Sequence, residues 1–97
     1  MIQVGLVGAG VIANLHAAAL DEISDARLAA VFDTNLSRAE ELANAHGAAA
    51  YTSLDRFLEN EQIDIVAICT PSGAHRDVAI AAAKAGKHVL VEKPIEV

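Results

Sequence analysis

Two hydrophobic periods take turns along this chain. Ile2 to Val7 is an apolar run with only Gln3 polar, the pattern of a strand covered on both faces. Gly8 to Gly10 interrupt it, and Val11, Ile12, Leu15, Ala18 and Ala19 then recur at helical spacing up to Leu20. Arg27 to Phe32 predicts a second strand that closes on Asp33. Ser37 is expected to start a second helix, with Leu36, Ala39, Leu42 and Ala43 as its inward stripe and Gly47 as its stop.

The second half repeats the alternation. Ala48 to Tyr51 is a short strand candidate, and Thr52 with Asp55 three residues on resembles a capping box for a helix over Leu54 to Leu58. Ile63 to Cys69, with Ile63, Ile65, Val66 and Ile68, suits a central strand. Pro71 to Gly73 form a loop, and Ala74 to Ala85 a helix with Val78, Ala82 and Ala85 on one side. Gly86 caps that helix, and His88 to Val91 is a last strand before Glu92, Lys93 and Pro94. Strands alternating with helices predict an α/β fold, a Rossmann-type open parallel sheet of about five strands with flanking helices and right-handed crossovers, stopping before the usual sixth strand.

Composition narrows the partners. With 97 residues, 54% of them apolar and 21% charged, residues 1–97 form one small domain with a single core. A formal charge of −6, spread over both halves, leaves no basic stripe to displace counterions, so nucleic acid and anionic membrane are not expected partners. The single cysteine, Cys69, excludes an internal disulfide and a multi-cysteine metal site, and the scattered His16, His46, His75 and His88 give no metal-ligand spacing. The apolar start lacks a basic leader, and a soluble, cytoplasmic protein is the expectation. Phosphate-loop, zinc-protease and nucleophile-elbow motifs do not occur.

Between the first strand and the first helix, Gly8, Ala9, Gly10, Val11, Ile12 and Ala13 spell G-x-G-x-x-A, the mark of a dinucleotide-binding domain. Gly8 permits the tight turn, Gly10 lets a pyrophosphate approach the backbone, and Ala13 lets the helix lie close to the sheet. Amides at the helix start would hold the phosphates. Asp33, about 20 residues on at the end of the second strand, would accept hydrogen bonds from the adenosine ribose and repel a 2'-phosphate, which favours NAD over NADP; nearby Arg38 weakens that preference. Two other readings stay open: glycines that merely turn and cap a small α/β domain, and a flavin nucleotide in place of NAD.

In an open parallel sheet the ligand crosses the carboxyl ends of the strands, so Thr70, Pro71 and His75 after the fourth and Glu92 and Lys93 after the fifth should gather beside the cofactor. His75 near a helix start would be kept neutral and line the nicotinamide region, against the alternative of a cap or surface histidine. Lys93, held before Pro94, is the candidate for hydrogen bonding a substrate hydroxyl and stabilising developing alkoxide, against an ordinary solvated lysine. Glu92 pairs with a cation or is a solvated acid. His16 packs structurally or faces the site, and Cys69 reads as a strand residue.

Taken together, GLVGAGVIANLHAAAL, VFDTN and ICTPSGAHRDVAIAAAKAGKHVLVEKP resemble the glucose-fructose oxidoreductase and inositol 2-dehydrogenase family over nearly the whole chain, in its amino-terminal nucleotide domain. The resemblance puts Gly8, Gly10 and Ala13 on the cofactor fingerprint, Asp33 on the ribose acid, and Thr70, Pro71 and His75 on the nicotinamide-side loop. It puts Lys93 and Pro94 on a Glu-Lys-Pro motif whose lysine is catalytic in many members. Ser72 departs from it, since many relatives carry Asn there. What it implies is an NAD- or NADP-dependent oxidoreductase of sugars, cyclitols and related polyhydroxy compounds, compatible with a homo-oligomer when full length. It also implies a much longer chain whose carboxyl-terminal domain supplies the substrate sheet and the assisting Asp and His, so that the 97 residues are expected to be an inactive cofactor-binding fragment. The competing readings are a non-catalytic NAD-binding sensor, a short scaffold without ligand, and a reductase of the biliverdin or dihydrodipicolinate type, distinguished by the residues beyond Pro94.

Overall fold

The computed structural model describes residues 1–70 and 75–91. Along them run β1 (Ile2–Val7), α1 (Val11–Asp21), β2 (Ala26–Phe32), α2 (Leu36–Ala45), β3 (Ala49–Tyr51), α3 (Leu54–Glu59), β4 (Ile65–Ile68), α4 (His75–Lys84) and β5 (His88–Val91). All strand pairs are parallel, in the order β3-β2-β1-β4-β5. The chain winds outward from β1 in one direction, returns, and winds outward through β4 in the other. That reversal opens a crevice between the carboxyl ends of β1 and β4.

Side-chain alternation along the strands feeds two separate cores, one on each face of the sheet, in place of the single core expected from the chain's length. Val4, Leu6, Leu28 and Val31 meet Ala13 and Ala17 of α1 and Ala39, Leu42 and Ala43 of α2 on one face. Val7, Ala29, Val66 and Ile68 meet Phe57 and Leu58 of α3 and Val78 and Ala82 of α4 on the other. The register shifts between Val4 and Gly5, whose partners are Leu28 and Ala30, so Ala29 is an extra residue on β2, and Ala29 and Ala30 both join the second core. Phe57, fully buried, lies over Gly5: a Cβ there would stand 2.6 Å from Phe57 Cζ. Phe32 and Tyr51 flank the same ring at centroid distances of 6.1 and 5.9 Å. Burying such a side chain is worth about 1.5–3 kcal/mol, and with the neighbouring Leu58 it anchors the short helix α3.

Several predicted details move. The buried face of α1 is Ala13 and Ala17, while Val11 and Leu15 are 77% and 63% exposed. The residues of α1 fully buried against the sheet carry only methyl groups; Leu20 packs at the edge of the core, and Val11 and Leu15 turn outward. Leu36, expected in the inward stripe of α2, is likewise exposed. Asn35, rather than Ser37, opens that helix by accepting the Arg38 N–H at 3.2 Å. The cap of α3 is Ser53, which accepts the Arg56 N–H, rather than Thr52. The fourth strand begins two residues later than predicted and stops at Ile68, and Ala85 lies exposed beyond the end of α4. Gly47 and Gly86, with φ of 68° and 81°, end their helices as expected.

Candidate functional site

The crevice is lined first by the turn that leaves β1. The Gly8 N–H donates to the Phe32 carbonyl at 2.7 Å, and the Cys69 N–H to the Val7 carbonyl at 2.9 Å, so β1 is paired on both sides up to its last residue. There the chain must turn at once. Gly8 does so at φ 100°, a region that costs an L side chain strain, and a Cβ on it would stand 3.1 Å from Thr70 Cγ2. Thr70 therefore sits directly against the glycine turn.

Gly10 then occupies the cap position of α1 in extended conformation, with no side-chain cap and no acid in the first helical turn. The opening amides of an α-helix need acceptors, and the helix dipole makes that end partly positive. Nothing from the side chains of this helix neutralises it, so Gly10, Val11 and Ile12 contribute through their backbone. Ala13, fully buried, is the close contact that seats the helix on the sheet.

Asp33 is the next element, at the end of β2. Its Oδ2 accepts the Ala9 N–H at 2.9 Å and its Oδ1 the Asn35 N–H at 2.8 Å, so the half-buried carboxylate is fixed beside the turn. Arg38, on the first exposed turn of α2, reaches back over the same turn: its Nη2 lies 3.3 Å from where a Gly10 Cβ would stand. A carboxylate and a guanidinium thus border one end of the crevice. Asn14 also belongs here, donating from Nδ2 to the Gly10 carbonyl at 2.8 Å. Sequence reasoning missed both Asn14 and Asn35. For Asn35 the signal was present, a short polar acceptor one residue before a helical stripe.

Gly8, Ala9, Gly10, Val11, Ile12, Ala13, Asp33, Arg38 and Thr70 are therefore gathered in one place. His75 opens α4, although its side chain lies outside what is described. Pro71, Glu92 and Lys93 lie outside the described residues. Half-buried His16 belongs to the middle of α1, and Cys69, expected within the strand, directly follows the end of β4. An open cavity of about 640 Å³ lies at the opposite, amino-terminal end of the sheet, lined by Ile2, Glu61, Ile63, Asp64, Ile65, Gly86 and His88. It shares no residue with the crevice. Among the described residues no group of three metal-ligating side chains comes together, and no helix is long and apolar enough to cross a membrane.

A dinucleotide fits this arrangement. The turn at Gly8 and Gly10 leaves room where a side chain would intrude, the helix start offers donors to a diphosphate, and Asp33 offers an acceptor to ribose hydroxyls. Comparison with known proteins agrees. The profile of the "Oxidoreductase family, NAD-binding Rossmann fold" matches residues 2–97. Inositol 2-dehydrogenase of Rhizobium meliloti is 42% identical over 95 residues, 98% of this chain and 28% of the relative. The WlbA dehydrogenase of Bordetella pertussis, solved with NADH and UDP-GlcNAcA, superposes with a TM-score of 0.89 at 39% identity, covering 96% of this chain and 29% of that one. A myo-inositol dehydrogenase of Corynebacterium glutamicum gives 0.90 at 34% identity, covering 99% and 29%. The chain thus spans under a third of the length of these relatives.

Proposed function

The chain belongs to the oxidoreductase family with an NAD-binding Rossmann fold, and from that membership we propose that it is the cofactor-binding part of a dehydrogenase. The protein carrying it would act on a secondary alcohol of a sugar, cyclitol or related polyhydroxy compound. Relatives named as dehydrogenases of inositol, of glucose 6-phosphate and of UDP-N-acetylglucosamine support that substrate class.

The observation that carries the reading is the hydrogen bond from the Ala9 amide to Asp33, which brings the acid to the glycine turn. The backbone from Gly8 to Ala13 would hold the diphosphate, and Asp33 the adenosine ribose. Arg38 would stand by the ribose edge, where its charge tempers the preference for NAD over NADP. Thr70, Pro71 and His75 would border the nicotinamide, with Glu92 beside them. When bound, the nicotinamide supplies a hydride acceptor for the alcohol carbon.

Lys93 would donate a hydrogen bond from its ammonium to the substrate hydroxyl, orienting the alcohol and stabilising charge on its oxygen as the C–H bond breaks. The hydroxyl proton would pass to a base outside these 97 residues. Absorbance of reduced cofactor, followed for the full-length protein with NAD and a panel of cyclitols and sugars, tests this reading. Reduction dependent on a secondary alcohol is expected. Tight NAD binding with no turnover on any polyhydroxy compound would contradict it.

A further inference from the structure

Three consecutive peptide units make up the glycine turn, and each is held by a side chain outside it. The Gly8–Ala9 unit is held through its N–H by Asp33. The other two are held through their carbonyls by one residue: Asn14 Nδ2 donates to the Gly10 oxygen at 2.8 Å and, at a longer 3.4 Å, to the Ala9 oxygen. The Gly10 oxygen also receives the Asn14 backbone N–H at 3.0 Å. In a planar trans peptide the N–H points opposite to the C=O. Drawing the Ala9 and Gly10 carbonyls down along α1 therefore aims the Gly10 and Val11 amides out of the helix start, toward the crevice.

The amino-acid choice points the same way. Asn is a weaker helix former than the Ala, Leu and Ile residues around it, because its side chain competes for backbone groups. Position 14 is exposed, so core packing does not select it. No side chain caps this helix from the preceding residues, since Gly10 has none to offer. Asp33 holds the first unit from outside the helix, and Asn14 holds the other two from within it.

We propose that Asn14 is a positioning residue of the cofactor site, orienting the Gly10 and Val11 amides toward the diphosphate without touching it. This rests on the dinucleotide reading above. Removing the side chain takes away the bond to the Ala9 carbonyl and one of the two to the Gly10 carbonyl, whose bond from the Asn14 backbone N–H remains, so the turn is loosened chiefly at the Ala9–Gly10 peptide plane, and that loss falls on ligands that carry a diphosphate.

The test is a binding titration of NAD, ADP-ribose and adenosine against the wild-type protein, Asn14→Ala and Asn14→Ser. Alanine raises helix propensity, so a purely structural role predicts unchanged or higher thermal stability and unchanged affinity. Positioning predicts that Asn14→Ala weakens NAD and ADP-ribose about tenfold, in keeping with the loss of one net hydrogen bond, and leaves adenosine unaffected. Serine, whose hydroxyl reaches a carbonyl four residues back, is expected to restore most of the affinity. Equal NAD affinity in wild type and Asn14→Ala, or a parallel loss for adenosine, would overturn the proposal. A wild-type protein that binds neither NAD nor ADP-ribose would instead remove the dinucleotide reading, and this proposal with it.

Discussion

The Ala9 amide donates to Asp33 Oδ2 at 2.9 Å, tying the middle of the glycine turn to the end of β2 across 24 residues of sequence. The other oxygen of that carboxylate is held by the Asn35 amide, at the start of α2. One acid therefore ties the turn to the start of α2, and in the proposed reading it stands beside the ribose. Replacing Asp33 by Ser shortens the side chain and removes the charge. The expected result is NAD binding weakened about tenfold, with a smaller loss, or a gain, for NADP. Titrating both cofactors against both proteins checks it, and an unchanged ratio of affinities would count against the role of Asp33.

Arg38 offers the opposite charge at the same place, with its Nη2 over Gly10. Removing it by Arg38→Ala is expected to lower affinity for NADP more than for NAD, since only NADP carries a 2'-phosphate for a guanidinium to bind. Competitive displacement of a fluorescent nucleotide at two salt concentrations measures this. The discrimination should shrink at high salt, because Arg38 is exposed and screened.

Gly5 and Gly8 predict different failures. A methyl group at Gly5 would meet Phe57 Cζ at 2.6 Å, far from the crevice. Gly5→Ala is expected to cost about 1–3 kcal/mol of stability by overpacking, read from urea unfolding, and to leave cofactor affinity unchanged in the folded fraction. Gly8→Ala combines a φ of 100° with a 3.1 Å contact to Thr70, so it should lose stability and cofactor binding together.

Lys93 is predicted to act on the chemical step. In the full-length protein, Lys93→Ala should lower kcat by roughly a hundredfold or more and leave the dissociation constant of NAD unchanged. Single-turnover rates separate the two, and unaltered hydride transfer would reject the assignment.

Much of this architecture is legible in the residue order because its signals are local. The apolar run Ile2 to Val7, the glycines after it and Asp33 closing the next strand define the switch-point site before any contact is known. Less legible is what depends on depth. In α1 apolar residues lie on every side, so periodicity does not say which face turns inward; the closeness of helix to sheet selects Ala13 and Ala17 and leaves Val11 and Leu15 outside. The fit of Phe57 over Gly5 joins residues far apart in sequence and leaves no local trace. Asn14 was hidden for a related reason: its amide works backward on the turn, while sequence rules for helix starts look to the residues before and just inside the cap.

Backbone amide shifts during an NAD titration test the central claim most directly. If the glycine turn and Asp33 hold the dinucleotide, the amides of Ala9, Gly10, Val11, Ile12 and Asp33 will move together and saturate with one dissociation constant. Shifts confined to the opposite end of the sheet, around Ile2, Glu61, Asp64 and His88, would contradict it.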